Sequence, residues 1–203
     1  MKTLRDEVAC HFSERSHVAH GMDHAERVAK LARHIAEKES YDPEEAEIAG
    51  MLHDIGRTVQ EDEKGHGPAG VPLATELLNK YTDFDYAAKE RILNAIRDHS
   101  DLHTEGQLTH ILQDADMLDG LGAIGIMRAY TSKAFLQCYD PADIAPAIGE
   151  RNTTIHGQIA FQMEWLEMMH TKSGKDIAIG RHALMQDFLN SFKLEVLGED
   201  MSS

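Results

Sequence analysis

The chain has 203 residues, 20 of them basic and 35 acidic, for a formal net charge of −15. That length suits one domain, or two small ones, with a sizeable buried core. The acidic balance excludes a nucleic-acid polymer or an anionic membrane surface as the main partner, because both would repel the chain. Thirteen histidines in so short a sequence point instead to chemistry. Cys10 and Cys138 lack metal-ligand spacing and are too few for a disulfide framework. The opening MKTLRDEVACHFSE is not an apolar signal segment, and no apolar run reaches membrane length, so a reducing cytoplasm is the expected compartment.

Residues 2–14 read as a short helix, with Leu4, Val8 and Phe12 at helical spacing. An irregular stretch over 13–22 leads into a helix that runs to about Lys38. It offers His20 and His24 one turn apart, ahead of an apolar stripe of Val28, Leu31, Ala32 and Ile35. The next helix starts at Asp42-Pro43, an N-cap followed by proline at the first helical position, with Glu45 placed for a capping box. It delivers His53 and Asp54 as neighbours, and Gly56 reads as its C-terminal stop. Neighbouring helical positions point about 100° apart, so one ion can take both side chains only near a helix end.

Residues 57–70 form a polar, glycine-punctuated loop, after which a helical stripe resumes over 70–81 with Leu73, Leu77 and Leu78. Asp85 starts a helix carrying Ala88, Ile92, Ala95, Ile96 and His99. Thr104 and Gln107 make a second capping box, ahead of a helix through Ile111, Leu112, Ala115 and Leu118. Within it, QDADML offers Asp114 and Asp116. Gly120 and Gly122 break the chain before a helix over 122–135, and 138–153 reads as a loop or irregular flap. Two long helical patterns, 154–171 and 175–197, close the sequence. No segment alternates with period two. The expected fold is all-α, a single domain over 1–203. The apolar, methionine-rich closing helices exceed what a small core needs, which makes a homodimer a candidate assembly.

His24, the His53-Asp54 pair and an aspartate of QDADML supply two imidazoles and two carboxylates, a complete ligand set for a divalent metal. The motifs HxxRV at 24–28, LHDIG at 52–56 and DADMLD at 114–119 resemble the HD superfamily of metal-dependent phosphohydrolases. ILNAIRDHS (92–100) and ILQDADMLDGLGAIGIMRAY (111–130) extend the resemblance to small single-domain members, some of which cleave nucleoside triphosphates. It covers about residues 17–135. It implies a helical bundle of the HD type, completed by 154–197, with His24, His53, Asp54 and Asp116 as metal ligands. Asp116 is preferred because the resemblance places the ligand at the aspartate of ADM; Asp114 lies about 200° round the helix from it. Asp119 shares the Asp116 face and is placed to orient water or substrate.

HGPAGVPLATELL resembles the element that carries a further histidine in binuclear relatives. His66 and His99 are therefore candidates for a second ion, or for holding phosphate and protonating a leaving group. His20 is an extra ligand, an orienter of one, or a phosphate contact. Arg57 and Lys64 are candidates for a substrate phosphate, Arg27 for a structural ion pair, and His103 and His110 for surface positions. The ligand types favour Mn, Fe or Mg over a closed structural zinc site. The implied activity is hydrolysis of a phosphate ester or anhydride, in a nucleotide or deoxynucleotide, by metal-activated water, with Asp54 or a nearby carboxylate holding that water. Two other readings stay open. If His66 and His99 are ligands, the set matches HD-type di-iron oxygenases acting on a small organophosphonate or polyol. The other is a non-catalytic metal- or nucleotide-binding module.

Overall fold

A computed structural model gives the fold and describes residues 2–13, 19–60, 65–149 and 153–201. Among the described residues the chain is helical, with no strand and two isolated bridges, Gln137 with Thr154 and Asp140 with Asp143. The all-α expectation is met. No described helix is long and apolar enough to cross a membrane. The helices fall into two compact units: residues up to Asp116 with His170–Gly174, and Met117–Met169 with the chain from Lys175 on.

The first unit holds α1 (Leu4–Ser13), α2 (Met22–Lys38), α3 (Pro43–Leu52), α4 (His66–Tyr81), α5 (Tyr86–Asp98) and most of α6 (Gln107–Asp119). A 3₁₀ turn, Ile55–Thr58, joins α3 to α4. α1 buries Leu4, Val8 and Phe12, the stripe its spacing predicts. α2 buries Val28, Ala29, Ala32 and Ile35 and packs against α3. That contact is close because of Gly50, where a Cβ would lie 2.7 Å from Ala29 Cα. Side chains such as Ile35, Leu52, Ile92 and Ile96 are wholly removed from water, each worth about 1.5–3 kcal/mol.

Several local expectations are corrected by long-range contacts. Asp42 does cap α3, accepting from the Glu44 and Glu45 N–H groups, with Pro43 first in the helix. Glu45 does not complete a capping box. Its buried carboxylate instead accepts from Arg91 Nε at 3.0 Å and from the Tyr41 hydroxyl at 2.8 Å. A cation from α5 outcompetes the local backbone N–H. Gly56 is not the stop of α3, which already ends at Leu52; it lies in the 3₁₀ turn, under the first turn of α4. α4 begins at His66 rather than near 70, so His66 is a buried helix residue and not a loop residue. The Thr104–Gln107 box is likewise replaced: Gln107 opens α6 itself and donates its amide to the Glu39 carbonyl at 3.2 Å.

The second unit holds α7 (Gly122–Ser132), α8 (Ile155–Gln162) and most of α9 (Lys172–Leu197). The long helix expected over 154–171 is shorter than its pattern. Thr154 caps α8 through the Gly157 N–H at 3.0 Å, and the chain then winds into a 3₁₀ stretch, Met163–Met168. This tighter winding sets the Trp165 ring against the Gly120 backbone.

Candidate metal centre

Helix ends deliver the histidines. His24 sits in the first turn of α2, His66 opens α4, and His53 and His99 are the C-cap residues of α3 and α5. The close approach of α2 and α3 brings His24 Nε2 to 3.2 Å from His53 Nε2. Asp116, from α6, places Oδ1 3.3 Å from His24 Nε2 and 3.9 Å from His53 Nε2.

Asp54 follows His53 directly and is the hub. Its Oδ2 lies 2.8 Å from His20 Nδ1, 3.6 Å from His53 Nε2 and 3.7 Å from His24 Nε2. Its Oδ1 lies 2.7 Å from Arg57 Nε, 3.1 Å from His66 Nε2 and 3.9 Å from His99 Nε2. His66 and His99 face each other, Nε2 to Nε2, at 2.9 Å. One carboxylate therefore serves two pairs of imidazoles.

Protonation follows from these contacts. His53 Nδ1–H donates to the Gly50 carbonyl at 2.8 Å, and His99 Nδ1–H to the Ile96 carbonyl at 2.7 Å. A carbonyl only accepts, so both rings turn an unprotonated Nε2 towards Asp54. Burial pushes the His53 imidazole down to about 4, against the pull of Asp54 and Asp116. Burial likewise pushes His99 down. For Asp54, burial opposes ionisation, but the neighbouring His53 and hydrogen bonds from His20 and His66 hold it well below the carboxylate range. Asp116, with 35% of its side chain exposed, is held low against partial desolvation by the His24 hydrogen bond and the neighbouring His53. Two anionic carboxylates and at least two imidazole lone pairs thus converge on one buried volume. Negative charge and lone pairs outnumber protons there, and this donor set fits a divalent cation. Three overlapping groups could hold one: His24, His53, Asp116; His20, His24, Asp54; and His53, Asp54, His99.

The remaining candidates separate. Asp114, two residues from Asp116, is turned away and accepts from the His170 and Thr171 N–H groups, each at 2.8 Å, and the Thr171 hydroxyl. Asp119 is buried within the second unit and pairs with Arg128 at 3.0 Å. Arg27 pairs with Asp23 at 2.8 Å. Lys64 lies outside the described residues. His103 is exposed, but His110 is half-buried and stacked on His170 with ring centroids 4.2 Å apart, which corrects its surface placement. The residue missed from the sequence is Ser100, whose Oγ lies 3.4 Å from His66 Nε2 and 3.3 Å from His99 Nε2. Its adjacency to His99 was the available signal.

Helix ends converging on imidazoles and carboxylates define an all-helical protein with a candidate metal centre. The family model for the HD domain matches residues 21–124, and the chain belongs to that family. The uncharacterized protein YpgQ of Bacillus subtilis is 26% identical over 192 residues, covering 89% of this chain and 86% of YpgQ. Its crystal structure in complex with ADP superposes with a TM-score of 0.70 at 22% identity, over 95% of this chain and 92% of that one. An HD-superfamily hydrolase from Bacillus thuringiensis is 25% identical with a TM-score of 0.68, over 95% of this chain and 98% of that one. Ribonuclease Y of Oleidesulfovibrio alaskensis is 33% identical over 101 residues, 49% of this chain but only 18% of the ribonuclease.

Proposed function

We propose that the chain is a cytoplasmic metal-dependent phosphohydrolase that cleaves a phosphate ester or anhydride in a small nucleotide or deoxynucleotide. The observation that carries this reading is the convergence of His24, His53, Asp54 and Asp116, with lone pairs and negative charge in excess of protons. These four residues would hold the ion, and two imidazoles with two carboxylates suit Mn, Fe or Mg. Bound there, it supplies Lewis-acid polarisation of a phosphoryl oxygen and a lowered pKa for the attacking water. Treating both units as one functional HD domain is part of the proposal, since the family match crosses from one into the other.

The protein's own contribution is positioning. The carbonyl bonds of His53 and His99 fix which ring nitrogen each presents. Arg57, tied to Asp54 through Nε, carries positive charge to the edge of the cluster, where a phosphate oxygen would meet it. His20 keeps 35% of its side chain exposed and is placed for the same contact. A proton for the leaving oxygen would come from Nε2 of His66, since His99 commits its own proton to the Ile96 carbonyl through Nδ1. The ADP bound to YpgQ supports a nucleotide as substrate, and the name of ribonuclease Y supports phosphodiester chemistry on this fold.

Phosphate release from a panel of nucleotides and deoxynucleotides, with Mn²⁺ added, tests the reading. Wild type should turn over at least one, and Asp54→Ala should abolish turnover while keeping the helical circular dichroism. Fully metallated, folded protein that leaves the panel untouched would overturn it. If Asp54→Ala alters only binding, the chain is a non-catalytic module.

The His66–His99 pair, with Asp54 Oδ1 3.1 Å from His66, favours a second ion. Metal content per chain decides between one and two. Two irons with a coupled mixed-valent resonance, and oxygen consumption dependent on an organophosphonate or polyol, would put the oxygenase first.

A further inference from the structure

A cavity of about 330 Å³ lies wholly within the second unit and shares no residue with the metal centre. One side is a single face of α9, where Gln186, Leu189, Asn190 and Lys193 recur at helical spacing. The loop residues Ile144 to Ile148 supply an apolar wall, and His156, in the first turn of α8, completes the lining.

His156 is the unusual member. It is 2% exposed, and among the described residues neither ring nitrogen has a hydrogen-bond partner. Its ring is held by stacking on Phe192, centroids 4.7 Å apart, and Tyr139 packs edge-on against the same phenyl ring at 5.2 Å. Buried polar groups are almost always paired, so an imidazole held by stacking alone and facing a cavity marks a missing partner. Burial pushes its pKa down against the pull of Asp143, which leaves a neutral ring with one donor and one acceptor. Lys193 adds the only cation of the lining, and among the described residues no carboxylate pairs with it. Gln186 donates its amide to Asn190 Oδ1 at 3.2 Å, so these two carboxamides already satisfy each other in part. At ~30 Å³ per water, the cavity holds the volume of roughly eleven waters, near the lower end of ligand pockets.

We propose that this cavity binds a small organic acid, with its carboxylate against Lys193, its apolar body against Ile144, Pro146 and Leu189, and a hydroxyl or carbonyl against His156. The assignment stands apart from the reading of the metal centre. A diphosphate or a free metal ion would find one lysine and too much hydrocarbon here.

The test uses the full chain with ¹⁵N-histidine labelling and 4-hydroxybenzoate as probe, against benzoate and 4-hydroxybenzamide. The expected result is saturable one-to-one calorimetric binding of 4-hydroxybenzoate, with the His156 ring nitrogens shifting along the same isotherm. Lys193→Gln, or replacement of the carboxylate by the amide, should weaken binding at least tenfold. Benzoate should bind more weakly than 4-hydroxybenzoate in wild type and equally in His156→Phe. Lys193 is exposed on α9, so Lys193→Gln should keep the fold and the charge arm stands even if His156→Phe unfolds. Absence of saturable binding would overturn the proposal. So would binding that Lys193→Gln leaves unchanged, or shifts confined to His24, His53, His66 and His99.

Discussion

Gly56→Ala is the sharpest perturbation the structure offers. A Cβ at 56 would stand 1.9 Å from the His66 carbonyl oxygen and 2.7 Å from the Gly70 amide nitrogen. Ordinary contact begins near 3.4 Å, so the first turn of α4 would have to withdraw by about 3.4 − 1.9 = 1.5 Å. Both neighbours are backbone, and no rotamer change relieves them. Overpacking of this kind costs about 1–3 kcal/mol, and a backbone-only clash belongs at the upper end. For a chain of this size that corresponds to a fall in Tm of about 6–12 °C. The displaced turn carries His66, whose Nε2 is 3.1 Å from Asp54, so affinity for Mn²⁺ should fall with stability. Urea titration by circular dichroism and calorimetric Mn²⁺ binding measure both. The matched control is Gly180→Ala in α9, where a Cβ meets nothing within 4 Å. It should stabilise by up to ~1 kcal/mol through helix propensity. Wild-type Tm and metal affinity in Gly56→Ala would refute the argument.

Other substitutions probe the separation of roles. Asp114→Asn should lower stability by about 1–2 kcal/mol, because one carboxylate oxygen serving the 170–171 backbone becomes a donor, yet leave Mn²⁺ affinity intact; Asp116→Asn should do the reverse in calorimetry. Arg91→Met strands the buried Glu45 carboxylate with the Tyr41 hydroxyl and should cost about 1–3 kcal/mol in a urea melt, much of it recovered in the double variant with Glu45→Met. Glu39, held below its ordinary 4.5 by the Ser173 hydroxyl and N–H, stabilises the fold above that value, and the contribution is lost as pH falls through the lower folded pKa. Glu39→Gln should therefore be less stable than wild type near neutrality, and the gap in Tm should close on acidification below about pH 4.5.

Helices were legible wherever a stripe of apolar residues faced one core, as Leu4, Val8 and Phe12 in α1 or Ala88, Ile92 and Ile96 in α5. Asp42 and Asp85 were legible as caps because a cap acts within three residues of itself. Glu45 was misread for the complementary reason: its partner, Arg91, lies 46 residues away, and local pattern carries no information about it. Gly56 was read as a helix stop, whereas its requirement is space for another helix. In the centre, the ordered HD motifs bring His24, His53, Asp54 and Asp116 together on the page before any geometry is known. The sharing of Asp54 between two imidazole pairs was not readable, since it depends on α4 starting at His66. His156 gave no sequence signal at all.

The carbonyls that hold His53 and His99 belong to Gly50 and Ile96, in the last turns of α3 and α5, where backbone acceptors run out of amide partners. Each imidazole is thus a helix cap as well as a donor, and a single bond does both jobs. Fraying of either last turn releases the ring and its proton together. The residence time of the assembled donor set is then bounded by how rarely those two turns open, so amide exchange at the ends of α3 and α5 becomes a clock for the candidate metal centre.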